Sequence, residues 1–310
     1  HVAAMEGEVA AAGDMARRFR ILSGMVSRDV AALQRRLYVI LRTSNGGDRR
    51  RQPRQPMTLR FSAEFGGAAL SGFTADLSPG GAFLIPDAGL RPPPGPGRVD
   101  LDGVGRFEAR IVDGENTLGL HVQFTRPLDG ADAALARALL HGAERDAPAA
   151  ARAADIARRA GEAFEQALTA GRISENALFD GHYDIIDGSD PLQLTAAHTE
   201  LAETVLPPII DPPVDENAAA FCCACDRNGY VAAHNRIYSQ PQRPNDPVWN
   251  AAHSRNRRMF DDRAGVAAAR TLKSMTQTYA RDMGGGAFVL MKEFDAPITV
   301  RGRHWGAIRY

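Results

Sequence analysis

The chain has 310 residues, enough for roughly two or three domains with a sizeable core. Lys+Arg and Asp+Glu are equal at 37, so the formal net charge is zero. That balance excludes nucleic-acid binding by bulk charge and leaves room only for a local basic site.

No run of ~18 apolar residues occurs, so no segment is expected to span a membrane. No basic, then apolar, leader opens the sequence. The first residues are His1, Val2 and Ala3 rather than an initiator methionine, as expected for a piece of a longer protein.

Residues 1–46 read as one long helix ending at "TSNGG". Apolar residues recur at Met15, Phe19, Leu22, Val26, Val30, Leu33, Leu37 and Ile40, in steps of three and four. Asn45 and Gly46 favour the left-handed cap that stops a helix. A lone helix of this length cannot bury its stripe. The pattern therefore predicts a coiled-coil stalk that forms a homodimer, or one that packs on other helices of the chain.

Between the stalk and the next segment lies "DRRRQPRQP", with Arg49, Arg50, Arg51 and Arg54 clustered. Residues 57–127 then change period. "MTLRFSAEF", "ALSGFTADL", "GAFLIP", "GRVDLDG", "GRFEARIVD" and "LGLHVQF" are short strand candidates separated by Gly and Pro clusters, which suggests a small antiparallel barrel. "RPPPGPG", Arg91 to Gly97, is expected to be a surface connection. Residues 128–172 are alanine-rich and helical, with a break expected near Pro148. They read as a connector without chemistry.

Residues 173–310 are mixed. "ALFDGHYDIIDGSDPLQ" is loop-like, and "HTELAETVLPPII" starts as a helix. "AAAFCCACDRNGYVAAHN" reads as strand, Asn-Gly turn, strand. "GVAAARTLKSMTQTYARDM" is expected to be helical and stopped by Gly284 to Gly286. "AFVLMKEFDAPITVRGRHWGAIRY" yields two or three strands. The three cysteines, Cys222, Cys223 and Cys225, form no disulfide framework. On a strand, Cys223 and Cys225 face one side and Cys222 the other, so they cannot converge on a metal. This usage fits a reducing, cytoplasmic setting.

Chemistry concentrates in two motifs. Arg50 and Arg54 are spaced R-x-x-x-R, and Asp76, Ser78 and Gly81 are spaced D-x-S-x-x-G. Taken separately, these are a solvated basic linker and an ordinary turn. In this order, one hairpin apart and followed by "AFL" and a closing "GLHVQF" strand, they resemble the PilZ domain, a six-stranded barrel family that binds cyclic di-GMP. The resemblance covers roughly residues 47–127. It implies that Arg50 and Arg54 bind phosphate and base, and that Asp76, Ser78 and Gly81 bind guanine. Arg49 and Arg51 substitute if the register is offset by one.

The chemistry agrees with that assignment. Guanidinium groups bind phosphate in bidentate fashion and stack on purines. A carboxylate accepts from guanine N–H groups, and glycine admits close backbone approach. Binding would order the Arg50–Arg54 arm and reorient the stalk that precedes it. Pro53 and Pro56 stiffen this arm.

"DRNGYVAAHN", "FDDRAG" and "APITVRGRHWGAIRY" resemble segments of the C-terminal part of chemoreceptor-type (methyl-accepting) signalling proteins with a PAS- or Cache-like sensor fold. That resemblance covers about residues 175–310 and implies a pocket between sheet and helices. Its candidate lining is Tyr230, His234, Asn235, Tyr238, Trp249, Arg257 and Trp305. A haem held by His234, His253 or His304 is one expectation, and a satisfied polar histidine the other.

His182, His198, His234, His253 and His304 are scattered, and no H-E-x-x-H, G-x-S-x-G or Walker spacing occurs. An enzyme is therefore not expected. The fold class expected is multi-domain α+β: a helical stalk, a six-stranded PilZ barrel, a helical connector and an α+β PAS/Cache-like domain. The function expected is signalling through cyclic di-GMP. The other reading is a degenerate PilZ interaction module joined to a small-molecule or haem sensor.

Overall fold

The computed structural model describes residues 54–87, 92–113, 119–286 and 288–310. The expected stalk, and with it Arg49, Arg50 and Arg51, lies outside the described residues.

A closed antiparallel barrel comes first. Its strands are β2 (Arg60–Phe65), β3 (Ala68–Ser78), β4 (Gly81–Pro86), β5 (Pro96–Leu101), β6 (Gly105–Asp113) and β7 (Leu120–Pro127). They are ordered β3-β2-β5-β6-β7-β4, and β3 also pairs with β4, which closes the ring of six. A two-residue strand, β1 (Gln55–Pro56), adds the arm to the edge of β3.

Alternation explains the barrel. Phe61, Ala63 and Phe65 of β2 point inward between exposed neighbours, and Leu77, Leu84, Val99, Phe107 and Val122 fill the interior. The proline-rich stretch departs from the expected surface connection at its end. Pro96 and Gly97 begin β5, and Gly97 pairs with both Phe65 and Ala109. A Cβ on Gly97 would lie 2.2 Å from the Glu64 carbonyl oxygen, so glycine permits that pairing.

Helix α1 (Ala131–Thr169) then runs for 39 residues. The break expected at Pro148 does not occur; Pro148 lies inside the helix. An interior proline costs about 3 kcal/mol in helix propensity, and packing at both ends offsets it. Ala131 and Leu135 seal the barrel core. Ala153, Ile156, Ala157, Ala160 and Phe164 pack on the second sheet. Gly161 lets the helix approach that sheet at Thr299, since a Cβ there would meet the Thr299 carbonyl oxygen at 2.4 Å.

The second sheet contains β10 (Cys223–Asp226), β11 (Val231–His234), β12 (Met275–Asp282), β13 (Phe288–Val300) and β14 (Arg303–Arg309). All neighbours are antiparallel, in the order β11-β10-β14-β13-β12. Short strands β8 (Asp184–Ile185) and β9 (Leu194–Thr195) pair with each other. Helix α2 (Thr199–Val205) precedes the sheet; α3 (Pro247–His253) and α4 (Arg263–Arg270) lie between β11 and β12.

Residues 275–282 are a strand, not the end of a helix. They pair residue for residue with β13, and Gly284–Gly286 lie in the connection between the two strands. Tertiary pairing overrides a mixed local pattern here.

The Asn-Gly hairpin forms where expected. Its Asp226 carboxylate accepts from the backbone N–H groups of Asn228 (2.8 Å) and Tyr230 (3.1 Å). "D-x-N-G-Y" is therefore a turn-stabilising device. The cysteines divide as the alternation predicts. Cys222 packs in the core facing α1, and Cys223 and Cys225 in the opposite cluster with Ala269 of α4. All three are free, and burial pushes the Cys223 thiol up to about 12. No described helix is long and apolar enough to cross a membrane.

Candidate functional site

The arm and the D-x-S-x-x-G hairpin meet. Gln55 pairs with Leu77 and Pro56 with Asp76, which places Arg54 beside the carboxylate. Arg54 Nη1 donates to Asp76 Oδ1 at 2.8 Å, and it lies 3.4 Å from His121 Nδ1. The two side chains of the ion pair keep 21% and 16% exposure, so the pair is accessible from solvent. Pro56 does not prevent this approach; it lies in β1, in register with Asp76, while Pro53 lies outside the described residues.

Cross-strand pairing organises the surface into two rows. Asp76, Phe83 and His121 are mutual neighbours across β3, β4 and β7, and Ser78, Gly81, Gln123 and Arg110 form the next row through β6. The Phe83 ring lies 4.6 Å from the His121 ring, and Arg110 Nε donates to Gln123 Oε1 at 2.9 Å. Phe83 and His121 are site residues that motif reading missed. Their signal was present in "AFL" and "GLHVQF", but only the register shows that they flank Asp76.

Ser78 and Gly81 have local duties. Ser78 Oγ donates to the Gly81 carbonyl oxygen at 3.2 Å across the Pro79–Gly80 turn. A Cβ on Gly81 would lie 2.2 Å from the Val122 carbonyl oxygen. Glycine is required there by the close approach of β7, whatever else it admits. Together the rows offer a guanidinium, a carboxylate, an aromatic face and an imidazole on one open surface. These groups suit an anionic ligand that carries aromatic bases.

The seven residues expected to line a C-terminal pocket do not converge. Tyr230 and Trp305 belong to the core facing α1; the Tyr230 hydroxyl bonds Thr199 Oγ1 at 2.7 Å, and Trp305 Nε1 donates to the Leu178 carbonyl oxygen at 3.0 Å. Asn235 Oδ1 accepts from the backbone N–H of Cys222. Trp249 stacks on His253 with ring centroids 4.5 Å apart, under the Arg243 guanidinium. Arg257 pairs with Glu203.

His234 keeps three of the seven near it: it is hydrogen-bonded to Asn235 at 2.8 Å, its ring lies 5.1 Å from that of Tyr238, and it lines a second cavity with Arg257. Sequence distance carries no information on which sheet face a loop residue covers, so the seven could not be sorted beforehand. The histidines proposed for haem also separate. His234 bonds Asn235, His253 bonds the Trp249 carbonyl oxygen, and His304 bonds that of Ala269. Among the described residues no group of His, Cys, Asp and Glu is arranged to hold a metal ion.

Comparison with known proteins adds one family. Residues 48–142 match the model of the PilZ domain family. A crystal structure of the PilZ domain of CeSA from a cellulose-synthesizing bacterium is 28% identical, with a TM-score of 0.23; the match covers 30% of this chain and 98% of that one. No curated protein matches the chain. Residues 48–142, from the arginine arm through the barrel to the first turns of α1, are a PilZ domain.

Proposed function

We propose that this chain is a cyclic di-GMP-binding signalling protein and that it acts as a receptor rather than an enzyme. The observation that carries this reading is the Arg54–Asp76 pair at the junction of arm and barrel. Both groups are matched to the ligand but are held by each other. Phosphate competes for Arg54, and a guanine edge competes for Asp76. Binding therefore replaces one ion pair with two ligand contacts. Arg50, with Arg49 or Arg51 in an offset register, adds a second guanidinium; Ser78 and Gly81 complete the guanine side.

The arm is also in a position to transmit the exchange. Strand β1 lies against β12 of the second sheet as well as β3. A Cβ on Gly142 of α1 would touch the ends of Met57 and Gln55, so the helix packs closely on the arm. Movement of the arm would be felt by α1, by β12 and by the preceding stalk. This is an ordering switch with a rigid readout. A chemoreceptor-type role is what the resemblance of the C-terminal segments implies; homodimerisation is inferred from the apolar stripe of the stalk and the cytoplasmic setting from the cysteine usage. A five-stranded antiparallel sheet with helices inserted between its second and third strands supports the PAS/Cache-like reading of the C-terminal part.

Calorimetry of the chain with cyclic di-GMP tests the proposal. Heat of binding at micromolar ligand is expected, and Arg54→Ala should weaken it about tenfold or more, the usual effect of losing a charged hydrogen bond. Absence of heat from the unaltered chain would sink the nucleotide reading. It would favour the second one, an interaction module whose Arg54–Asp76 pair keeps the barrel surface closed.

A further inference from the structure

A cavity of about 190 Å³ lies over the face of the second sheet that carries Cys223 and Val231. Its lining includes Phe221, His234, Arg255, Arg258, Tyr279 and Arg281. Arg281 is 3% exposed, and its Nε and Nη2 atoms have no hydrogen-bond partner. Its guanidinium lies 4.1 Å from the Tyr238 ring centroid and 5.6 Å from that of Phe221, contacts that orient the group without satisfying its N–H donors.

Arg255 is 5% exposed and donates only to the carbonyl oxygens of Ala251 (2.9 Å) and Asp282 (3.0 Å). Arg258 donates to the Ala251 carbonyl oxygen at 3.3 Å. Among the described residues none of these three arginines has a carboxylate within ion-pair distance. A fourth, Arg309, is taken by Glu293, both of whose oxygens it meets at 2.9 Å.

Two carboxylates at the rim, Asp262 and Asp282, are turned to backbone. Asp262 caps α4 through the N–H groups of Ala264 and Gly265, and Asp282 accepts from Gly284. Buried, unpaired charge is unfavourable. The mutual repulsion is visible in Arg255, which burial, then Arg281 and Arg258, pull down to about 9. His234 is likewise held neutral, first by burial and then by Arg255 and Arg281.

We propose that this cavity binds a small organic carboxylate, with Arg281 as the anchor, Arg255 and Arg258 as flanking charges, and the aromatic walls around its apolar body. Nε and Nη2 form one edge of the guanidinium fork, which matches the two oxygens of a carboxylate in a bidentate pair. The cavity volume suits a ligand of a few carbon atoms, and Phe221, Phe260 and Tyr279 favour a hydrocarbon body over bare phosphate. The inference rests on the sensor reading only for its regulatory meaning; binding is tested directly and separately from cyclic di-GMP.

The test is thermal denaturation and calorimetry of the full chain with acetate, succinate, benzoate and inorganic phosphate, each up to about 10 mM, where a ligand of the native state raises the midpoint by mass action. At least one carboxylate is expected to raise it and phosphate is not. Arg281→Gln should weaken that carboxylate about tenfold or more, the usual effect of losing a charged hydrogen bond. Its midpoint without ligand should be unchanged or higher, because an unsatisfied charge has been removed. Arg258→Gln, at a half-buried position, is the second variant should Arg281→Gln fail to fold, and it should also weaken binding. Absence of any carboxylate effect, binding of phosphate alone, or undiminished binding in whichever of these variants folds would overturn the proposal. Cyclic di-GMP titrated into the same samples reports on the barrel independently.

Discussion

The barrel and the C-terminal sheet each present arginines to a surface or cavity, under opposite conditions. Arg54 is partly exposed and already paired with Asp76, so a ligand must displace an existing partner. Arg281 is almost wholly buried and keeps unmet donors, so a ligand supplies what the fold leaves out. In the proposed receptor the first arrangement would act as a switch, because bound and free states both satisfy the same groups. The second makes a preorganised site, because only the bound state does. Exposure decides how much each guanidinium matters. The Arg309–Glu293 pair, at 6% and 0% exposure, and the Arg126–Glu108 pair, at 63% and 35%, are a buried and an exposed case.

The largest effect is expected at the buried pair. Burial opposes the charge on Arg309, but Glu293 and its neighbours hold the guanidinium protonated. Glu293→Ala leaves that charge buried without its partner and should lower stability by about 3–5 kcal/mol, measured by urea unfolding. A loss under about 1 kcal/mol would break the ranking by burial, since that is the range of exposed pairs.

Next comes Asp76→Ala. It frees Arg54 but removes the proposed acceptor for guanine, so cyclic di-GMP affinity should fall about ten- to a hundredfold by calorimetry. Tighter binding instead would mean that Asp76 only restrains Arg54 and makes no contact with the nucleotide.

A smaller, pH-dependent effect should come from the buried histidines. Burial is the leading cause that lowers His198, His234 and His304 below 6.5. The native state then holds them neutral while the unfolded chain takes up protons below about pH 6.5. Stability is thus fully present above that pH and falls as pH drops toward 5, by up to about 1.4 kcal/mol per pH unit for each histidine that stays neutral. Melting curves should show the decline, and His234→Asn should make it shallower. An unchanged slope in that variant would show that His234 is charged beside Arg255 and Arg281.

Least is expected at an exposed pair. Arg126→Ala should leave the melting midpoint within error, because an exposed ion pair is screened by water and salt. A clear loss would mean that exposure is a poor guide to these pairs.

Much of the barrel was legible in the sequence because its strands alternate and its turns are marked by Gly and Pro. The same local signals located the Asn228–Gly229 hairpin and the two faces of Cys222 and Cys223. Residues 275–282 were not legible. Their helical reading was locally plausible, and only an eight-residue pairing with β13 makes them a strand. Pro148 misled for the same reason: the helix is held at both ends by cores far apart in sequence.

By itself, then, the sequence determined the barrel and its two motifs, since hydrophobic period and turn chemistry act over a few neighbouring residues. Tertiary structure alone decided that Arg54 meets Asp76 beside Phe83 and His121. It also decided that Tyr230 and Trp305 enter a core, and that Arg281 reaches a cavity with Nε and Nη2 left without hydrogen-bond partners. Those outcomes depend on strand register and on which face each loop covers, and both are settled by contacts between residues distant in the chain.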